Sequence, residues 1–156
     1  VLYFMNHFHE SQNFSNLLLS VYYGIGALFT LIGGKLGDKH GYRTFVRFGF
    51  LLAFPAALLL AWTDSSILGI LCLIVLGAAL NLTYSPMVVL GQQYLPNRVG
   101  LASGITLGLA VSVGGITAPL LGKVGDMYGL ETTFYVIALI TLIPLISSFT
   151  LPKPKK

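Results

Sequence analysis

Three groups of residues have the types and spacing to do chemistry. His7, His9 and Glu10 stand close together, as metal ligands or acid–base partners would. No fourth ligand follows at a recognisable spacing, so no metal site and no cofactor are expected. A second group, Asn81, Thr83, Tyr84 and Ser85, precedes Pro86 inside a long uncharged run. Pro86 removes the N–H that the Leu82 carbonyl would use in a helix, which predicts a kink near Tyr84-Ser85-Pro86. Polar groups at membrane depth must face water or find partners, so these four either line a substrate cavity or bond neighbouring helices. Tyr22, Tyr23 and Thr106 are weaker cavity candidates, and Gln92 and Gln93 fall near a mouth of it. The third group is Gly34-Lys35-Leu36-Gly37-Asp38-Lys39-His40-Gly41, followed by Arg43. There Asp38 can accept backbone N–H bonds at a helix start.

These groups must be positioned by elements that composition already restricts. Of 156 residues, 55% are hydrophobic and 9% are charged, against about 25% charged in a soluble domain. Residues 11–34, 48–63, 65–97, 99–122 and 132–152 carry no ionised side chain. About 20 apolar residues cross a bilayer as a helix, so these runs exclude a water-soluble globule and place the chain in a lipid bilayer. They also exceed the 9–11 residues of a barrel strand and lack its polar alternation. The fold class is all-α integral membrane, with spans near 17–35, 45–62, 67–94, 101–121 and 132–151. Val1–Met5 reads as the last turns of a sixth, truncated helix, and the chain as a piece of a longer protein. A lone Cys72 in an apolar run makes no disulfide and is a packing residue.

The sequence pI near 9.3 would suit nucleic acid, but the basic residues flank the apolar runs, which assigns them to the membrane surface. Lys35, Lys39, Arg43, Arg47, Arg98, Lys153, Lys155 and Lys156 fall on one side of the membrane, with Asp38. Lys123 stands alone on the other, with Glu10, Asp64, Asp126 and Glu131. The basic side is the cytoplasm by the positive-inside rule, so the C-terminus is cytoplasmic. Arg47, near the end of the short second span, would snorkel to the headgroups. His40 lies in a cytoplasmic turn, where it is solvated.

The chain also repeats itself at an offset of 88 residues. Gly34-Lys35-Leu36-Gly37-Asp38-Lys39-His40-Gly41 recurs as Gly122-Lys123-Val124-Gly125-Asp126-Met127-Tyr128-Gly129, and Thr44 recurs as Thr132. Three spans separate the copies, so they lie on opposite faces, which is the mark of a 3+3 inverted repeat. Lys39, Arg43 and Arg47 become Met127, Glu131 and Tyr135, as the positive-inside rule demands of an outer copy.

The motif Gly34-x-Leu36-x-Asp38-Lys39-x-Gly41-x-Arg43 resembles the signature loop of the major facilitator superfamily. The resemblance covers the whole chain, read as the C-terminal half of a twelve-helix fold. It departs at Thr44, where the family often has another basic residue. Leu95-Pro96-Asn97-Arg98-Val99-Gly100, the glycines at 104, 108, 114 and 115, and Ala118-Pro119 resemble the fosmidomycin resistance branch. That resemblance implies alternating-access, proton-coupled efflux of a small drug such as fosmidomycin across a bacterial plasma (inner) membrane. It also implies that Asp38 latches onto an N-terminal half of the same protein. With no Asp, Glu, Lys or Arg well inside a span, the group that carries protons is expected in that other half.

Gly100, Gly104 and Gly108 form a flat strip suited to close helix packing. Uptake of a small nutrient by the same architecture is the alternative. A membrane enzyme would need clustered His, Asp or Glu, which the sequence offers only at His7, His9 and Glu10. A scaffold would give the inverted repeat no mechanical purpose.

Overall fold

A computed structural model describes residues 1–152, so the basic tail from Lys153 to Lys156 lies outside the described residues. The described residues form six α-helices: α1 Leu2–His7, α2 Gln12–His40, α3 Tyr42–Trp62, α4 Ser66–Tyr94, α5 Val99–Tyr128 and α6 Leu130–Thr150. A 3-10 turn, Pro96–Arg98, joins α4 to α5. Helices α2 to α6 are each long and apolar enough to cross a membrane. They run past the uncharged stretches at the ends of α2 and α5 and at the starts of α3 and α6, because helical hydrogen bonding continues into the charged turns.

Punctuation residues set the boundaries. The Ser11 side chain caps α2 by accepting from the Phe14 N–H at 3.3 Å. Gly41 ends α2 at φ 92°, in the region that favours glycine. Gly129 ends α5 at φ 90°. Pro55, Pro86, Pro119 and Pro144 all lie inside helices, as neighbouring helices in a membrane allow.

The 88-residue repeat is visible in the helices themselves. α3 and α6 are both 21 residues long, and their limits differ by that offset at both ends. The last residues of α2 and α5, His40 and Tyr128, differ by it as well. The Gly41 N–H bonds to the Gly37 carbonyl at 2.8 Å, and the Gly129 N–H to the Gly125 carbonyl at 3.0 Å. The two turns therefore share one geometry.

Packing centres on α4, which lies against α2, α3 and α5, while α6 covers α3 and touches α5. Ala53, Ala57, Ala79 and Ala138 are wholly buried where helices cross, small enough to let backbones approach in lipid. Tyr3 and Phe4 of α1 complete this core beside Leu60 and Leu76. α5 is the least covered helix, with Val111, Ile116 and Leu120 exposed along it.

Candidate functional site

The first of the two repeated turns is built by the end of α2 and the start of α3. α2 continues to His40, so Asp38 sits in its last turn and not at a helix start. The backbone N–H groups expected to hold it are already used inside α2. Its partner is instead the Tyr42 hydroxyl, which donates to Asp38 Oδ1 across the Gly41 bend. A carboxylate in a helix's last turn faces the unfavourable end of the dipole, so it depends on such a donor. Arg43, on the first turn of α3, has its Nε buried without a hydrogen-bond partner among the described residues. Gly37 lies against Tyr42 and Pro86, which ties the turn to α4. Gly34 lies against the Ser85 hydroxyl. Leu36 and Lys39 stand on the same final turns of α2, with Lys39 exposed. His40 Nδ1 lies 3.3 Å from the Leu36 carbonyl.

The four polar residues of α4 point to three different surroundings. Asn81 packs against Gly26 of α2, and its Nδ2 donates to the Gly77 carbonyl at 2.8 Å. Ser85 also faces α2. Tyr84 is 48% exposed on the outside of the chain. Thr83 is 2% exposed, packs against Gly49 of α3 and donates to the Leu80 carbonyl at 2.7 Å, so its contacts are with its own and the neighbouring helix. Tyr22 packs on Gly77, while Tyr23 is exposed. Thr106 packs on Gly91, and Gln92 donates to the Ser103 hydroxyl at 2.8 Å. These two contacts join α4 to α5.

The glycine strip has no partner helix among the described residues of this chain. Among the described residues, nothing approaches within 4 Å of where side chains at Gly100, Gly104 and Gly108 would begin. They form an open, flat face of α5. Close packing within this chain occurs instead through Gly26, Gly33 and Gly37 of α2 against α4.

Two arrangements escaped the sequence. Arg47 reaches the end of α6: its Nε donates to the Ser148 carbonyl at 3.0 Å and its Nη2 to the Phe149 carbonyl at 3.2 Å. It thereby satisfies carbonyls that end α6. At the opposite end of the bundle the His7-x-His9-Glu10 group disperses. His7 meets Glu131 of α6, and Glu10 accepts from the Ser66 hydroxyl at 2.6 Å. The advance sign was Glu131 itself, an acid standing where the first copy of the repeat has Arg43.

The pairing of two like turns on opposite faces of a helical membrane bundle agrees with a comparison against known families. The family model described as Major Facilitator Superfamily matches residues 1–156. The chain belongs to that superfamily.

This superfamily chain is 33% identical over 155 residues to the uncharacterized MFS-type transporter YfnC of Bacillus subtilis (strain 168), covering 99% of the chain and 37% of that protein. It is 32% identical over 148 residues to the fosmidomycin resistance protein of Escherichia coli (strain K12), covering 94% of the chain and 36% of that protein. The chain thus spans little more than a third of the length of these relatives. No solved structure matched it. The protein is a multi-pass membrane protein of a transporter family.

Proposed function

We propose that this chain is one half of a secondary transporter that exports a small drug, such as fosmidomycin, in exchange for protons. It works by rocking against an N-terminal half around a central cavity. The observation that carries this reading is the pair of matched turns at Gly41 and Gly129, which gives the bundle equivalent hinges at both membrane faces. The 32% identity to a fosmidomycin resistance protein supports the drug class.

In this reading Gly34, Leu36, Asp38, Lys39, Gly41 and Arg43 form the cytoplasmic latch toward the other half. Asn81, Tyr84 and Ser85 border the substrate path, and the open strip at Gly100, Gly104 and Gly108 receives a helix of the other half. The location is the plasma (inner) membrane, with the C-terminus in the cytoplasm.

The test uses the full-length transporter in inverted membrane vesicles. An imposed acid-inside gradient is expected to drive fosmidomycin accumulation, abolished by a protonophore. Folded, inserted protein that gives no gradient-dependent flux would overturn the exchange. Accumulation of a nutrient in right-side-out vesicles would instead establish uptake.

A further inference from the structure

His7 stands where three segments meet at one end of the bundle. It closes α1, and its ring faces both the first turn of α6 and the turn between α3 and α4. Nδ1 lies 2.9 Å from Glu131 Oε1. Nε2 lies 3.1 Å from the Thr63 carbonyl oxygen and 3.7 Å from Asp64 Oδ1. The Tyr3 ring stacks on the imidazole with centroids 5.0 Å apart, while its hydroxyl donates to the Leu60 carbonyl at 2.7 Å. The His7 side chain is 18% exposed, against 56% for Glu131 and 100% for Asp64. A cavity of about 260 Å³, bordered by Tyr3, Asn6, Gly125 and Glu131, opens beside it. The other titratable groups of this face are His9, Glu10, Lys123, Asp126, Tyr128 and Tyr135, and Glu10 is engaged by Ser66.

Every oxygen around the ring accepts and none donates. A neutral imidazole has one N–H, so it satisfies one side and turns a lone pair toward an oxygen on the other. An imidazolium donates on both sides.

We propose that His7 is a proton-binding site whose occupancy fastens α1 to α6 and to the α3–α4 turn. The proton adds to the free ring nitrogen of the neutral imidazole, and the carboxylates give up none. Glu131 lies in the first turn of α6, where the helix dipole favours its anion, so a counter-charge is ready when the proton arrives. α1 belongs to the first repeat and α6 to the second, so the bound proton joins the two repeats. The geometry is independent of the transport reading, whereas the use of this proton in exchange rests on it.

The test places spin labels at Asn6→Cys and Tyr135→Cys in full-length protein in nanodiscs, with Cys72 replaced by Ala. Their distance distribution is recorded at pH 5 and pH 8, the range over which histidines change charge. The native site should give a narrow, short distribution at pH 5 and a broader, longer one at pH 8. His7→Gln should be broad at both, Glu131→Gln should lose most of the narrowing, and His9→Gln should behave as wild type. A wild type with no pH response, or a His7→Gln variant that keeps the response, overturns the proposal. A pH response without proton-driven flux upholds the site and overturns only the transport reading.

Discussion

Gly33 of α2 lies against the carbonyl oxygen of Leu82 in α4, the acceptor that Pro86 leaves without a helical N–H. A Cβ at this position would collide with that oxygen. The two helices therefore meet backbone to backbone at the level of the proline, where a Cα–H contact is the only donor Gly33 offers the carbonyl.

Gly33→Ala should consequently destabilise the bundle by about 1–3 kcal/mol, the usual cost of overpacking. Thermal unfolding of the full-length protein in detergent measures this. Gly24→Ala is the control, since open space surrounds Gly24, and its Tm should stay level or rise.

Gly41→Ala and Gly129→Ala should each cost about 1–2 kcal/mol, because both residues hold a positive φ. Equal losses are the expected result. A large difference between them would show that the shared turn geometry does not carry shared strain.

Arg47→Met keeps the aliphatic stem but strips two donors from the end of α6. The expected loss is about 1.5–3 kcal/mol, typical of hydrogen bonds to a charged group. Hydrogen exchange should quicken at Ser148–Thr150 before it quickens in α3. Arg47→Lys should recover only part of this, lacking the planar fork.

Asp38→Asn should lower flux on the order of tenfold while insertion is unchanged, the effect of weakening one charge-assisted hydrogen bond. Tyr42→Phe removes the donor Asp38 uses within this chain, so it should alter flux too. Unaltered flux in both variants would mean that the turn at Gly41 has no switching role.

Thr83→Val should leave substrate choice unchanged and shift only Tm, because Thr83 is packed on Gly49. Tyr84→Ala should do the reverse. Competition between substrates in flux assays separates the two.

The five crossings and the duplicated turn were readable because both rest on local rules. Uncharged length locates a span, and a glycine at positive φ ends a helix wherever it stands. What could not be read depended on rotation and distance. The four polar residues between Asn81 and Ser85 on α4 look alike in sequence, yet the 100° helical step turns Asn81 and Ser85 toward α2, Tyr84 outward and Thr83 toward α3. Asp38 looked like a helix cap because Gly41 marks a break, but the break falls after Asp38. The meeting of His7 with Glu131, and of Arg47 with the end of α6, joins residues far apart along the chain. No periodicity announces such pairs.

Arg47 and the Ser148 carbonyl it binds are 101 residues apart. A chain grows at roughly 5–20 residues per second, so this guanidinium enters the bilayer about 5–20 s before its final acceptor exists. Until the last helix is made, the guanidinium has no α6 carbonyl to bind. The joint between α3 and the end of α6 is therefore among the last contacts of the bundle to form.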